Sequence, residues 1–134
     1  MDAESPLHSP SAQIGTGFLL CPEAATPALY RDAVRHAREQ ETVVTNVFSG
    51  RPARALVNRL ACEIGFLADA VPDFPLPLGE LEPLRAAAEQ QGSRDFTPLW
   101  SGQAAALSRE MPAAMLMKIT VKETLERLHR LRCN

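Results

Sequence analysis

The stretch Ala12–Leu20, AQIGTGFLL, decides how this chain is read. Ile14, Phe18, Leu19 and Leu20 favour a buried pleated surface and predict a β-strand. Gly15, Thr16 and Gly17 interrupt it midway. A glycine near the C-terminal end of a strand has two readings. It lets a ligand approach the backbone closely, and the following Thr16 can then offer both its N–H and its hydroxyl to a phosphate. Alternatively, Gly15 serves a bulge or a tight bend that needs positive φ. The triplet is neither a Walker loop nor a GxGxxG fingerprint.

Outward from that stretch, Cys21–Thr26 reads as a turn. Thr26 as N-cap and Pro27 at the first helical position predict a helix running to about Arg38. Leu29, Tyr30, Ala33, Val34 and Ala37 form its apolar side, with Arg31, Asp32, Arg35 and Arg38 facing water. Thr42–Phe48, dense in β-branched residues, predicts a second strand. Pro52 then predicts a helix over Pro52–Gly65, carrying Leu56, Leu60 and Ile64 on one face. Asp69–Leu78 holds Pro72, Pro75 and Pro77 and predicts an extended, non-helical connection. A helix over Glu80–Gln91 stops at Gly92. A loop over Ser93–Ser101 leads to a short helix over Gly102–Arg109. Pro112 opens the last helix, which runs to about Arg130 with Met117, Val121, Leu125 and Leu128 as its buried stripe. The order strand, helix, strand predicts a βαβ unit. Two short strands make a poor sheet, so the neighbours of the first are to be sought outside this chain.

The length of 134 residues suits one small domain, and an apolar share of 46% can supply a core. Fourteen basic against 16 acidic side chains leave no electrostatic footprint for nucleic acid. No apolar run is long enough for a membrane span. Residues 1–11 read as a loosely held lead-in, and MDAESPLHSPSAQ has neither the basic nor the apolar region of a secretory signal, so a cytoplasmic location is expected. Cys21, Cys62 and Cys133 fit neither a disulfide framework nor a zinc site and read as thiols in a reducing compartment. His8, His36 and His129 share no metal-ligand spacing, no nucleophilic triad is visible, and no catalytic residue is assigned. Two further clusters stay open. Arg51 and Arg54 could fork an anion, or could pair with other elements or face water. Trp100, beside Ser101, Gly102 and Gln103, could flank a flat cofactor ring or anchor the core.

Three separated segments carry a resemblance. QIGTGFLLCPEA at Gln13–Ala24, FSGRPARALVNRL at Phe48–Leu60 and PLWSGQAAAL at Pro98–Leu107 resemble the C-terminal part of bacterial nitronate monooxygenases, in that family's order and spacing. The resemblance runs from about Ala12 to about Leu128. It implies an α/β fold by ancestry: a C-terminal fragment of a (β/α)8 barrel flavoenzyme, here mostly helical with about two short strands, over residues 12–134. It implies FMN as cofactor, with the phosphate held by the segment Gln13, Ile14, Gly15 and Thr16, largely through backbone amides. The full enzyme would oxidise alkyl nitronates with O2 to a carbonyl compound and nitrite. The glycine-rich loops that complete the flavin site and the histidine base have no counterpart here, and His8 does not match that base. A barrel of this type needs about 250 residues. The chain alone is therefore expected to be inactive, and its partner would be a complementing N-terminal half or a second copy of itself. The alternative is a small helical assembly module that adds its exposed strand to a partner's sheet.

Overall fold

The computed structural model describes residues 14–132. His8, Gln13, Cys133 and the lead-in over residues 1–11 lie outside that range. The foreseen first strand is the largest correction. Thr16–Leu20 forms a 3-10 helix, with Phe18 N–H donating to Gly15 O and Cys21 N–H to Phe18 O, each at 3.0 Å. No strand runs beside this segment among the described residues. Its backbone groups are satisfied by local i to i+3 bonds instead of a ladder.

Helix α1 (Ala28–Arg35) follows, shorter than the sequence suggests. Its Ala33 and Val34 are buried with Leu20. Arg31, expected in water, instead donates to the carbonyls of Leu20, Cys21 and Ala24 at 2.7, 3.1 and 3.1 Å and closes the turn before the helix. Strand β1 (Thr42–Thr45) lies where a strand was foreseen but ends sooner. Strand β2 (Ala53–Leu56) occupies the start of the foreseen Pro52–Gly65 helix. The two pair antiparallel, with Thr42 opposite Leu56 and Thr45 opposite Ala53. The βαβ expectation therefore fails: the sheet is a hairpin of sequence neighbours.

Burial explains why β2 is not helix. Ala55 packs with Val47, Phe48, Leu60 and Ala61, whereas Leu56 packs with Leu20, Val34, Leu99 and Ala105. A strand puts successive side chains on opposite faces and so serves two clusters at once. Tertiary pairing overrides the helical spacing of Leu56, Leu60 and Ile64. A third segment adds to β2: Leu56 N–H donates to Leu99 O at 2.9 Å, Ser101 N–H to Arg54 O at 3.0 Å, and Ala55 bridges Trp100.

Helix α2 (Arg59–Ile64) begins at Asn58, whose Oδ1 accepts from Ala61 N–H at 3.3 Å, an N-cap the sequence reading passed over. The amide of Asn58 also donates to Arg94 O and Thr97 O, holding the later loop. Helix α3 (Leu76–Glu80) enters the proline-rich connection, correcting its non-helical reading at its end. Pro77 falls in the first turn, where a missing N–H costs nothing. Helix α4 (Glu82–Gln90) ends as expected, with Gly92 at φ +74°. The foreseen Gly102–Arg109 helix contracts to a 3-10 turn, Ala105–Leu107. Helix α5 (Ala113–Arg132) matches its foreseen span but not its foreseen burial. Met117, Val121, Leu125 and Leu128 are 46, 51, 61 and 53% exposed, while Leu116 is the residue that α5 buries. The stripe has the spacing of a buried face, and no described residue covers it.

Candidate functional site

Thr16 and Gly102, 86 residues apart, meet through one bond. The Gly102 N–H donates to Thr16 Oγ1 at 2.7 Å. The bond brings together two of the motifs that the sequence analysis kept separate. They open onto a cavity of about 550 Å³. Ile14, Gly15, Thr16 and Gly17 line it, and Gly102, Gln103 and Ala104 line it beside them, joined to them by this bond. Leu107, Ser108 and Arg109, with Leu116, Thr120 and Glu123 of α5, complete it.

Trp100 sets the position of the Gly102–Ala104 lining. Its ring meets Phe48 edge-on, with centroids 5.6 Å apart. Its backbone bridges Ala55, and the Tyr30 hydroxyl of α1 donates to its carbonyl. Burial pushes the Tyr30 phenol up to about 12, so it stays a donor throughout the neutral range. Trp100 is therefore a core anchor, which settles the choice left open in the sequence. Two residues on, Gly102 and Gln103 emerge at the cavity.

Gly15 does not carry the positive φ that a tight bend would demand: its φ is −104° and ψ −64°. A Cβ built on it would meet nothing within 4 Å. Neither backbone conformation nor packing among the described residues requires glycine there. Ile14 is 39% exposed at the rim. Gln13 lies outside the described residues.

The ionisable groups among the lining residues cancel. Arg109 donates to both carboxylate oxygens of Glu123, at 2.7 and 3.3 Å, and that contact holds the Glu123 carboxyl below the usual carboxylate range. The cavity thus offers neutral dipoles at Thr16, Gly102 and Gln103 and an apolar side at Ile14, Leu107 and Leu116. Among its described lining residues no acid or base is unpaired. Arg109, Thr120 and Glu123 were missed by sequence reasoning, because contact across the break at Pro112 leaves no periodic signal.

Arg51 and Arg54 lie elsewhere. The Arg51 guanidinium stands 4.8 Å from the Phe74 ring centroid, and Arg54 donates to Thr42 O and Oγ1 at 3.3 and 3.2 Å. Both brace the hairpin and its neighbouring loop. Cys21 is buried and Cys62 exposed. Among the described residues no group of three or more His, Cys, Asp or Glu side chains could hold a metal ion. No helix among them is long and apolar enough to cross a membrane.

The structure superposes on a nitroalkane oxidase from Streptomyces ansochromogenes with a TM-score of 0.75 and 36% identity, over 87% of this chain and 33% of that one. It also superposes on a FabK from Thermotoga maritima, with a TM-score of 0.60 and 26% identity, over 88% of this chain and 34% of that one. The fold class is the expected one, a mostly helical segment of a barrel flavoenzyme with two short strands, although β2 is not the second strand foreseen. The family model for nitronate monooxygenase matches residues 8–123, and the chain belongs to that family. It is 40% identical over 118 residues to a nitronate monooxygenase of Pseudomonas aeruginosa, covering 87% of this chain and 34% of the relative. It is 36% identical over 124 residues to a probable nitronate monooxygenase of Staphylococcus saprophyticus, covering 92% and 35%. The chain spans about a third of the length of the curated relatives it matches.

Proposed function

We propose that this chain carries the FMN-phosphate end of a nitronate monooxygenase-type site and does not turn over nitronates by itself. The observation that carries the reading is the Thr16 hydroxyl, pinned by Gly102 at the cavity wall beside Gly15, whose Cβ space is open. A phosphate at this wall would meet backbone amides of Ile14–Thr16, the Thr16 hydroxyl and the Gln103 carboxamide. Gln13 joins them on the strength of the family resemblance. The residues present fit the phosphate end of the cofactor. The apolar side at Ile14, Leu107 and Leu116 can exclude water from a ligand seated there.

When bound, FMN would take up the electrons of an alkyl nitronate and pass them to O2, giving a carbonyl compound and nitrite. This chain's own share is binding and orientation. The two ionisable groups of the cavity are committed to each other, so no base among its lining residues is poised for a substrate proton. The complement that supplies the base and the rest of the barrel is the partner proposed for the exposed face of α5. The exposed-strand mode of assembly is not retained, because Thr16–Leu20 is helical. A cytoplasmic location fits a flavoenzyme of this kind.

Titrating the purified chain with FMN, by quenching of flavin fluorescence, tests the reading alongside an assay of nitronate consumption. Micromolar FMN binding without turnover is expected. Turnover by the chain alone overturns the claim of incompleteness, and absence of flavin binding overturns the cofactor assignment.

A further inference from the structure

Two exposed apolar surfaces of this chain carry opposite charge, and both lie outside the cavity. The first is the stripe of α5. Met117, Val121 and Leu125 form a groove there, with Lys118 and Lys122 along its side. Glu126 also borders the groove, but it meets Lys122 only at 4.0 Å. Over the whole helix Lys118, Lys122, Arg127, Arg130 and Arg132 stand against Glu123 and Glu126. Glu123 is committed to Arg109.

The second surface lies on the connection from α2 to α4. Phe66, Leu67, Phe74 and Leu76 are exposed there. From Leu60 to Leu84 the sequence holds five acids and no Lys or Arg. Asn46 fastens one part of the connection. Its N–H donates to Phe66 O at 3.2 Å, and its side chain exchanges hydrogen bonds with the Ala68 backbone at 3.0 and 3.1 Å. Gly50, whose N–H donates to Asn46 O at 2.8 Å, packs against the backbone of Pro72 and Phe74 and seats the other part. One turn thus holds both. Asp69 and Asp73 are exposed and enter no ion pair among the described residues. Arg51 reaches this surface, but its guanidinium is stacked on the Phe74 ring.

An apolar groove edged by lysines and an apolar surface edged by unpaired carboxylates complement each other in both respects. We propose that α5 of one chain docks on the Phe66–Leu76 surface of a second copy, with Lys118 and Lys122 meeting Asp69 and Asp73. The contact belongs to the chain without its complement and is independent of the flavin reading. An anionic membrane would attract α5 as well, but it gives the acidic surface no partner.

Charge reversal with rescue tests the contact. The full chain is compared by sedimentation velocity, over a range of concentrations, with Lys118→Glu plus Lys122→Glu, with Asp69→Lys plus Asp73→Lys, and with all of these changes in one chain. Circular dichroism confirms that each variant is folded. The unaltered chain self-associates, less tightly as salt is raised. Each pair of reversals weakens the association at least about tenfold. The chain carrying all the reversals recovers it, and so does an equimolar mixture of the two singly reversed forms. If the chain reversed only at Asp69 and Asp73 associates as the unaltered chain does, α5 meets some other surface and the proposal falls. Weakening by each pair with no recovery in the combined chain or the mixture overturns the pairing of these charges. An unaltered chain that stays monomeric at every concentration overturns the proposal outright, and its binding to phosphatidylserine vesicles would then assign α5 to a lipid surface.

Discussion

At the scale of single residues, Gly50 shows a glycine required twice over. Its φ is +81°, and a Cβ would lie 2.5 Å from both Phe74 N and Pro72 O. The left-handed backbone alone disfavours any side chain, and the backbone contact leaves nothing flexible to give way. Gly50→Ala is expected to destabilise the chain by about 3 kcal/mol, read as a lowered denaturant midpoint at unchanged slope. A midpoint equal to that of the unaltered chain contradicts this account of the loop. Gly15 is the contrasting case. Neither its dihedral angles nor its neighbours ask for glycine, which directs attention to what approaches from outside. Both residues stand in the sequence as glycines beside a strand-like run. Only the coordinates separate the one that shapes the fold from the one that leaves room.

At the scale of elements, α5 is attached over its first half, from Ala113 to Glu123, among the described residues. Glu23 accepts from the Ala113 N–H through both carboxylate oxygens, at 3.1 and 3.2 Å, and so caps the helix from 90 residues away. Arg35 of α1 pairs with Glu110 just before the helix, and Arg109 with Glu123 inside it. The arginine contacts hold the Glu110 and Glu123 carboxyls below the usual carboxylate range. A carboxyl depressed in the folded state contributes stability above its ordinary pKa and loses it as pH falls through the lower folded value. Acidification below about pH 4.3 is therefore expected to release α5 before the β1–β2 hairpin. Amide hydrogen exchange at residues 113–123, compared with residues 42–56, measures this at pH 3 and pH 7. Protection that falls equally in both segments counts against the ion pairs as the fastening of α5. Each of the acids was visible in the sequence as a charge, but nothing in the spacing says which arginine it meets.

At the scale of the whole molecule, the described residues bury two small clusters on either side of β2 and leave a long apolar stripe in solvent. We propose that this exposed apolar surface serves as a docking face. The proposed occupant is the complement that supplies the other two thirds of the family's length. In its absence, copies of the chain are expected to cover the stripe for one another. In sedimentation velocity the apparent mass should rise with concentration, and Val121→Glu combined with Leu125→Glu should return it to that of a single chain. A concentration-independent monomer in the unaltered chain argues against the stripe as an interface.

The sequence by itself determined the family, through three motifs in order, and with it the kind of fold to expect. It also determined the elements whose signals are local: α4 with its glycine stop, α5 with its proline start, and the β-branched run of β1. Only the tertiary structure decided the rest, because each remaining feature is settled by a distant contact. β2 became a strand because two clusters compete for its two faces. Thr16–Leu20 became helical because, among the described residues, no strand runs beside it to take its hydrogen bonds. Trp100 became an anchor because Phe48, Ala55 and Tyr30 converge on it. The cavity's two sequence motifs meet because a glycine amide reaches across 86 residues to the hydroxyl of Thr16.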